Sequence, residues 1–559
     1  MDDKTKAARL AVHDALRQHG FERLAPVSSV PFYIGTLDRY GLRIPITIEV
    51  NDLDFVSYPR ICIQPGFVMP DRTLPHLLGV DRSVCYYSKG SVILDRYNPG
   101  GTMLQCLEQA EIVLRNAIRG RSDRDFVDEF QAYWSNVFIY VDVAESYSGP
   151  ARIRPARLNR GEFNALVVTA GRSWFAAEPR RKRREEEDGT PVEVVAIDYP
   201  LTFAATEAWP PTTVAEINRW LQKAAPDLIG RLESILQTQS GVSAAVLIRA
   251  PNGLYCYQVE VPQHLQRPEF LKSRRHRLPE MMERQLVSTP IERLIGVRAD
   301  ADYLFGRNLG SMNGLVDKRI LLIGCGTIGS FLAHQLAQRG AGAKRGYLSL
   351  VDPDVLTTGN IGRHLLGVPY LGRNKAEACA SYLNEQLPLL AIEGYAGDVR
   401  TQKLDWHRYD LVIGATGEEA LSIALNEIAV QARPRLPPHL FVWLLGNGAV
   451  AQCILTGEVD RACFKCLKPD LAGLPRFRAM RPETVVETVT NVACGDAAYV
   501  PFPVSRSVAA AAMACDLVVD WANGNPGHRF RSLTLDNRRA FRVPNGSPTK
   551  LNHCPACGG

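Results

Sequence analysis

Two pairs of cysteines have the spacing of metal ligands. Cys463 and Cys466 are separated by two residues, and so are Cys554 and Cys557 near the end of the chain. Four thiolates from two such pairs are enough for a closed tetrahedral Zn²⁺ site of the structural kind. Redox pairs and free thiols are the alternatives. Structural disulfides are disfavoured, because cysteines in the cytosol stay reduced. The spacing predicts a zinc site that joins two distant segments of the chain.

A glycine-rich segment has the G-x-G-x-x-G pattern of a nucleotide-binding loop. Gly324, Gly326 and Gly329 fall between a predicted strand and a predicted helix. In this context the glycines permit a tight turn and let a phosphate approach backbone amides at a helix N-terminus. Asp352 ends the next predicted strand, where a carboxylate can accept hydrogen bonds from ribose hydroxyls. The pattern indicates a nucleotide site, but it does not choose between ATP and a dinucleotide.

The residues that follow this loop resemble a known adenylating family. Asp352 begins a D-x-D, Asn360 and Arg363 form an N-x-x-R, and Lys375 ends a G-x-x-K. This series resembles the adenylating (ThiF) domain shared by ubiquitin-activating enzymes and by bacterial thiamine and molybdopterin sulfur-carrier activators. The resemblance implies that Asp352 holds the ribose of ATP. It also implies that Arg363 and Lys375 hold the phosphates, with Asn360 in the same constellation. Loop residues of an ordinary dinucleotide-binding domain are the alternative.

The chain departs from this family at its magnesium-linked segment. The family has Asp-x-Thr-Asp after its fourth strand, and this chain has glycine at both aspartate positions, Gly414 and Gly417. Because Mg²⁺ requires hard oxygen ligands, we expect Glu418 or Glu419 to substitute. Asn426 keeps the downstream asparagine of the family.

Two more residues gain a role from the resemblance. Cys494 lies just before a predicted helix, at the crossover-loop position of the cysteine that takes the acyl group from the adenylate. A thiolate near a helix N-terminus has a lowered pKa, which suits that task; a small buried cysteine is the alternative. Arg307 lies in a segment resembling the one that supplies an arginine to the ATP site across a homodimer. Its alternative is an exposed basic residue.

The first 125 residues resemble a ubiquitin-conjugating domain. A predicted helix, short strands, a loop and a second helix starting near Thr102 make an α+β unit. His76 precedes Cys85 by nine residues, close to the spacing between the His-Pro-Asn motif and the active cysteine of that family. The match implies that Cys85 is the conjugating cysteine, with Cys106 as a rival inside the predicted helix. The motif's asparagine is missing after His76, so we expect another group, such as a backbone amide, to stabilise the oxyanion.

The elements that position these residues divide the chain into three domains. From residue 318 onward, predicted strands alternate with predicted helices, which indicates a parallel sheet with helices on both faces. We therefore expect an α/β protein with a ubiquitin-conjugating-like α+β domain at 1–125 and a mixed α/β linker domain at 126–300. A Rossmann-like adenylating domain with zinc knuckles follows at 301–559. A length of 559 residues is sufficient for these domains.

Composition excludes several classes of protein. Hydrophobic residues make up 46% and charged residues 22% of the chain, which excludes a disordered chain or a collagen-like repeat. The basic run at 180–184 is followed at once by acidic residues at 185–188, a pattern that favours a solvated loop over a nucleic-acid contact. The apolar run at 508–515 is too short to span a bilayer. Residues 1–4 open without the apolar segment of a secretory signal, so we expect a cytoplasmic protein.

A conjugating-like domain and an adenylating domain on one chain resemble the bacterial fused ubiquitin-transfer enzymes of anti-phage islands, especially those encoded beside cyclic-oligonucleotide synthases. This similarity implies that ATP adenylates the C-terminal carboxylate of a partner protein. Cys494 then takes the acyl group as a thioester and passes it to Cys85, from which an amine displaces it. The implied partner is a ubiquitin-like protein or the cyclic-nucleotide synthase, and the adenylating domain is expected to form a homodimer.

Two other functions stay open on the sequence alone. One is a sulfur-carrier activator, in which Cys494 handles sulfur and the N-terminal domain only binds a partner. The other is an inactive, zinc-stabilised scaffold, favoured by the missing aspartates. Only a conjugating enzyme is expected to lose its product when Cys85 is replaced, which separates it from a sulfur-carrier activator. The scaffold is expected to form no AMP with any partner.

Overall fold

The computed structural model describes most of the chain as two compact units. The described residues are 3–24, 30–38, 43–68, 71–79, 81–158, 163–171, 189–238, 242–263, 266, 286–489 and 499–558. The first unit holds the described residues up to 141, from 146 to 171 and from 189 to 297. The second unit holds residues 142–145 and the described residues from 298 onward.

The first unit begins with an antiparallel sheet whose six strands run in the order β1-β2-β3-β4-β6-β5. The strands are β1 (Glu22–Arg23), β2 (Phe32–Leu37), β3 (Ile44–Glu49), β4 (Arg60–Ile63), β5 (Leu77–Leu78) and β6 (Ser83–Val84). Ile44, Ile46 and Ile48 of β3 are buried and alternate with half-buried neighbours. This period of two is that of a strand with one face on a core. Two helices, α1 (Asp3–Gln18) and α2 (Pro99–Ile118), contribute to the same core.

Helix α2 begins earlier than the sequence pattern predicts. Asn98 caps it, with its side-chain oxygen accepting a hydrogen bond from the Gly101 N–H, and Pro99 occupies the first turn. Proline is favoured there because the N–H that it lacks has no partner within the helix. The sequence predicts that Thr102 caps this helix, but Thr102 lies inside it, and its buried hydroxyl donates to the Asp95 carbonyl oxygen.

A closed barrel of seven strands forms the rest of the first unit, in the order β10-β11-β12-β13-β7-β9-β8. Its strands are β7 (Phe138–Asp142), β8 (Gly149–Leu158), β9 (Phe163–Thr169), β10 (Thr190–Ala196), β11 (Ser243–Ala250), β12 (Gly253–Glu260) and β13 (Ile291–Arg298). The α-helices are α3 (Phe130–Trp134), α4 (Val214–Ala224) and α5 (Arg231–Thr238), and the 3₁₀ turns are Asp123–Phe126 and Pro226–Leu228. A core rich in aromatic residues fills this region, with Trp134 and Phe130 fully buried.

The second unit is built on a seven-stranded sheet in the order β16-β15-β14-β17-β18-β19-β20. The strands are β14 (Arg319–Ile323), β15 (Tyr347–Asp352), β16 (Ile392–Ala396), β17 (Leu411–Gly414), β18 (His439–Leu445), β19 (Val450–Thr456) and β20 (Phe530–Thr534). The first five in spatial order are parallel, and β19 and β20 extend the sheet beyond β18 as antiparallel strands, with β20 at the edge. The predicted α/β class with a Rossmann-like C-terminal domain is confirmed.

Helices supply the layers of this second sheet. They are α6 (Ala301–Gly306), α7 (Thr327–Gln338), α8 (Thr358–Ile361), α9 (Lys375–Gln386), α10 (Glu419–Gln431) and α11 (Val504–Ala522). The 3₁₀ turns are Arg307–Leu309, Val368–Tyr370, Trp406–Arg408 and Phe464–Leu467. Strand β14 is almost continuously apolar and buried, as expected of a parallel strand covered on both faces. None of the helices in the described ranges is long and apolar enough to cross a membrane.

Candidate active sites

The glycine loop between β14 and α7 needs its three glycines for different reasons. Gly324 has φ +91, and a Cβ there would lie 2.9 Å from backbone atoms of Ala415 and Thr416. A Cβ on Gly329 would lie 1.8 Å from the carbonyl oxygen of Gly324. A Cβ on Gly326 would meet no atom of the described part of the chain within 4 Å. Gly324 and Gly329 therefore allow the turn to form, whereas Gly326 leaves space beside the start of α7, the place where such loops let a phosphate approach the backbone amides.

Asp352 at the end of β15 holds this loop in place. Its Oδ2 accepts a hydrogen bond from the Cys325 N–H at 2.7 Å, and its Oδ1 accepts one from the Asp354 N–H at 2.8 Å. The residue is only 5% exposed. Burial raises the pKa of Asp352, although the two N–H donors oppose that rise. Asp352, the predicted ribose ligand, therefore also stabilises the glycine loop.

Lys375 enters the same site from the start of α9. Asn374 caps this helix, because its Oδ1 accepts from the N–H groups of Ala376 and Glu377. The Lys375 side chain is 9% exposed, and its Nζ lies 2.8 Å from Oδ2 of Asp354. A buried ammonium with one carboxylate partner at a nucleotide loop is suited to meet further negative charge. Asp354, which sequence reasoning left without a role, is the second acid of the D-x-D.

His364 is a buried support of the loop that sequence reasoning missed. Its Nδ1 accepts a hydrogen bond from the Leu366 N–H at 3.0 Å, so its Nε2–H donates to the Cys325 carbonyl oxygen at 2.7 Å. Burial lowers the pKa of His364, which keeps the ring neutral in this tautomer. Cys325 is therefore held from both sides, by Asp352 at its N–H and by His364 at its carbonyl. The sequence shows only that a histidine directly follows Arg363, which does not by itself indicate a role.

Three other predicted site residues make more local contacts. Asn360 accepts hydrogen bonds from the N–H and hydroxyl of Thr357, both at 3.0 Å, and so caps the short helix α8. The Arg363 guanidinium lies over the ring of Tyr499, 5.4 Å from its centre. Arg307 is exposed, and its guanidinium lies 5.8 Å from the ring centre of Tyr303. Their predicted roles toward ATP stay predictions.

The four predicted zinc ligands come together in the second unit. Their sulfur atoms all lie within 4.8 Å of one another. Cys463 Sγ lies 3.9 Å from that of Cys466 and 3.7 Å from that of Cys554, and Cys466 Sγ lies 3.4 Å from that of Cys557. Zinc–sulfur bonds of about 2.3 Å in a tetrahedron place sulfurs about 3.8 Å apart. The donor set and its spacing therefore fit Zn²⁺.

Asn426 on α10 supports this cysteine cluster. It is fully buried, its Oδ1 accepts a hydrogen bond from the Phe464 N–H at 2.9 Å, and its Nδ2 lies 3.6 Å from Cys463 Sγ. An outer group that donates to a ligating sulfur orients the ligand and stabilises its thiolate. The asparagine noted in the sequence therefore lies beside the zinc knuckle.

A cavity of about 740 Å³ opens beside the glycine loop. It is lined from Gly417 onward, and the residue before Gly417, Thr416, packs against Gly324. The exposed Glu418 and Glu419, the expected Mg²⁺ ligands, lie on its wall. The remaining lining is largely apolar with several cations, and includes Phe441, Trp443, Phe464, Phe477, Phe530, Lys465, Lys468, Arg478 and Arg481. A peptide segment ending in a carboxylate is chemically compatible with such a cavity.

Cys85 directly follows β6 in the first unit. It is half-buried, its N–H donates to the His76 carbonyl oxygen at 2.8 Å, and its Sγ lies 4.0 Å from the Tyr87 carbonyl oxygen. Burial, and then the charge of Glu129, raise the pKa of the Cys85 thiol. The rival Cys106 is fully buried within α2, where no substrate reaches it. Cys494, the other predicted thioester cysteine, lies outside the described residues.

Two family models match the chain in the order that the sequence predicts. Residues 303–552 match the ThiF family, and residues 30–138 match the prokaryotic E2 family B. The expected combination of a conjugating-like domain with a ThiF adenylating domain is confirmed. A solved structure of Escherichia coli MccB with ATP covers 46% of this chain and 68% of that chain. Its identity is 16% and its TM-score 0.33.

Two named relatives match along much of their length. The ATP-dependent ubiquitin transferase-like protein Cap2 of Pseudomonas aeruginosa (strain BWHPSA011 / Pa011) is 31% identical, over 99% of this chain and 99% of that protein. The protein of the same name from Vibrio cholerae serotype O1 is 25% identical over 84% of each chain. Since the first match extends over nearly the whole of both chains, and both family models lie in the corresponding order, this chain belongs to the Cap2 family of ATP-dependent ubiquitin transferase-like enzymes.

Proposed function

We propose that the second unit adenylates the C-terminal carboxylate of a partner protein with ATP as substrate. The observation that carries this proposal is the glycine loop fixed by Asp352 and His364, with open space at Gly326 and the Lys375 ammonium in the same site. A carboxylate oxygen of the partner attacks the α-phosphorus, a P–O bond forms, and pyrophosphate leaves. Lys375 neutralises charge on the phosphates during this step.

The individual roles rest on the resemblance to the ThiF family. Asp352 accepts hydrogen bonds from the ribose, with Asp354 beside it, and Asn360 and Arg363 contact the phosphates. Glu418 or Glu419 holds the Mg²⁺ that accompanies ATP, since carboxylate oxygens are the ligands that this ion takes. In a homodimer formed through the second unit, the exposed Arg307 of one protomer reaches the phosphates bound by its partner.

The partner's C-terminal tail occupies the cavity beside the loop. The cavity is large enough for several residues of extended peptide, and its lysines and arginines attract a carboxylate terminus. The partner is either a ubiquitin-like protein or a cyclic-nucleotide synthase of an anti-phage system. The names of the relatives favour a ubiquitin-like transfer reaction.

The acyl group then moves through two cysteines. The Cys494 thiolate attacks the acyl carbon of the adenylate, a C–S bond forms and AMP leaves. The Cys85 thiolate displaces Cys494 from that thioester, and an amine of the final target displaces Cys85 to leave an amide. Residues 1–125 perform the conjugating step, residues 301–559 perform activation, and residues 126–300 connect them. The four cysteines bind Zn²⁺ as a structural ion, and the reaction takes place in the cytoplasm.

A charge-removing substitution in the loop tests the activation step. The protein is incubated with ATP, Mg²⁺ and lysate of its native host. AMP formation is measured in the reaction mixture, and thiol-sensitive adducts are measured by the intact mass of the protein. We expect Lys375→Met to lower both by about a hundredfold. Lys403→Met, at an exposed lysine of the same unit, is the matched control and keeps both. Wild-type levels of AMP and adduct in Lys375→Met would contradict the proposal.

A further inference from the structure

His76, close to Cys85, is held in an unusual backbone conformation by one carboxylate. Its φ is +63, a left-handed value that a non-glycine residue keeps only where its surroundings enforce it. The His76 N–H donates to Oε2 of Glu129 at 2.9 Å, and the ring Nδ1 lies 2.6 Å from Oε1 of the same carboxylate. Glu129 thus holds both the backbone and the ring of His76.

A second carboxylate completes the surroundings of the ring. His76 Nε2 lies 2.8 Å from Oδ2 of Asp125. The hydrogen bond to Glu129 raises the pKa of His76 to about 9, burial opposes this rise, and Asp125 adds to it. The ring is therefore an imidazolium at neutral pH, and both of its N–H groups donate. Burial disfavours the charge of Glu129, yet the hydrogen bonds from His76 outweigh burial and hold the pKa of Glu129 below its ordinary value.

His76 in turn sets the position of Cys85. Leu77 of β5 pairs with Val84 of β6, so His76 and Cys85 are the next facing residues of the hairpin. The Cys85 N–H donates to the His76 carbonyl oxygen at 2.8 Å. Because this carbonyl turns with the His76 backbone, release of His76 from its left-handed conformation would displace the backbone of Cys85.

The loop before Cys85 makes further contacts with the segment that carries Glu129. The Arg72 guanidinium forms an ion pair with the Asp123 carboxylate. The Tyr133 hydroxyl donates to the Leu74 carbonyl oxygen at 3.1 Å and lies 3.5 Å from Oε2 of Glu129. Residues 123–133 therefore form a support for the loop that positions Cys85, and Glu129 lies at its centre.

We propose that Glu129 is a positioning residue for Cys85, acting through His76, in the transfer of the acyl group to an amine. This inference rests on the proposed function. In that transfer the amine nitrogen attacks the thioester carbonyl carbon, the C–N bond forms, and the C–S bond breaks. The Cys85 sulfur leaves as a thiolate, and the proton of the amine passes to solvent. Through His76, Glu129 holds the thioester on Cys85 in one orientation for this attack.

The test charges Cys85 without ATP or a natural partner. A glycine-ending peptide thioester of 2-mercaptoethanesulfonate is the acyl donor, and Nα-acetyl-lysine is the acceptor. Mass spectrometry of the Cys85 peptide measures loading and discharge. We expect Glu129→Gln to slow discharge to the amine by about tenfold or more. Asp128→Asn removes an exposed carboxylate of the same segment and is the matched control, with wild-type discharge.

Two readouts separate positioning from a general loss of structure. The ratio of Glu129→Gln to wild-type discharge should fall as the pH rises from about 6 to about 9, because His76 then loses its proton earlier in the variant. In Glu129→Asp, which keeps the charge, the ratio should stay nearly constant. Alkylation of Cys85 by iodoacetamide should become faster in Glu129→Gln, since the charge that helps to raise the pKa of the thiol is gone. Unfolding also slows transfer and exposes this half-buried thiol to alkylation, so the pH trend and an unchanged melting temperature are the two readouts that decide.

The outcomes distinguish this inference from the proposed function. If wild-type Cys85 accepts no acyl group from the peptide thioester, the conjugating function itself fails. If wild-type Cys85 loads, and Glu129→Gln discharges at the wild-type rate at every pH, Glu129 has no positioning role. Should Glu129→Gln melt at a much lower temperature, Asp125→Asn decides, because it removes only the second carboxylate of His76. We expect the same pH trend there, and a constant ratio would overturn the inference.

Discussion

At the scale of single residues, the ATP site depends on where a glycine leaves space and where it only avoids a clash. Gly326 leaves space that no atom of the described residues fills, whereas Gly329 avoids overlap with the Gly324 carbonyl oxygen. Gly326 has φ −74, outside the left-handed region that favours glycine. The two positions should therefore respond differently to the same added methyl group.

We expect Gly326→Ala to keep the unfolding free energy within about 1 kcal/mol of wild type while ATP affinity falls by about tenfold or more. Gly329→Ala should lower the unfolding free energy by about 1–3 kcal/mol or more, because backbone atoms cannot yield as side chains do. Calorimetric ATP titration and denaturant unfolding measure the two effects. Wild-type ATP binding in Gly326→Ala would show that phosphate does not approach the loop at that point.

Some site residues could be predicted from the sequence and others could not. The glycines, Asp352 and Lys375 belong to short motifs whose spacing reflects one continuous strand–turn–helix, so local pattern located them. Glu129 meets His76 across 53 residues of sequence, and no spacing rule joins them. His364 supports the loop through the backbone carbonyl of Cys325. Every residue has such a carbonyl, so the residue type at position 325 does not reveal this contact.

At the scale of elements, helix α10 and the cysteine knuckle at Phe464–Leu467 form one structural piece. Asn426 of α10 binds the knuckle through the Phe464 N–H and lies beside the Cys463 sulfur. The knuckle in turn lines the cavity beside the glycine loop through Phe464 and Lys465. Loss of the zinc site should therefore disturb the cavity as well as the stability of the second unit.

We expect native mass spectrometry to find one Zn²⁺ per chain and Cys466→Ser to lose it, because three thiolates no longer close the tetrahedron. Asn426→Ala should keep the ion and lower the unfolding free energy of the second unit by about 1–3 kcal/mol, since the buried Phe464 N–H loses its acceptor. Cys62→Ser, in the first unit, is the control with full zinc content. A metal-free wild type, purified without chelator, would contradict this prediction.

The elements themselves were largely predictable from sequence. The sequence predicts a strand at 319–323 and a helix at 375–386, and β14 and α9 have these bounds, with Gly324 after the strand and the capping Asn374 before the helix. The sequence also predicts a helix at 330–339, but α7 begins three residues earlier, at Thr327, since the helical turn begins within the glycine motif. The closed barrel could not be predicted, because closure depends on the pairing of β10 with β8, which is not encoded in either strand alone.

At the scale of the whole molecule, one chain carries both a conjugating-like part and an adenylating part. The family models match residues 30–138 to the first part and residues 303–552 to the second. The first range includes Asp125 and Glu129, so the support for Cys85 belongs with the conjugating-like part. The boundary that the sequence predicts after residue 125 stays a prediction, and it falls between Asp125 and Glu129.

In the relay that we propose, one acyl group passes from Cys494 to Cys85. The most direct measurement is the position of the thiol-sensitive, ATP-dependent adduct, mapped by peptide mass spectrometry in Cys494→Ala, Cys85→Ala and wild type. We predict adducts on both cysteines in wild type, on Cys494 alone in Cys85→Ala, and on neither in Cys494→Ala. An ATP-dependent adduct on Cys85 in Cys494→Ala, formed as fast as in wild type, would contradict the relay.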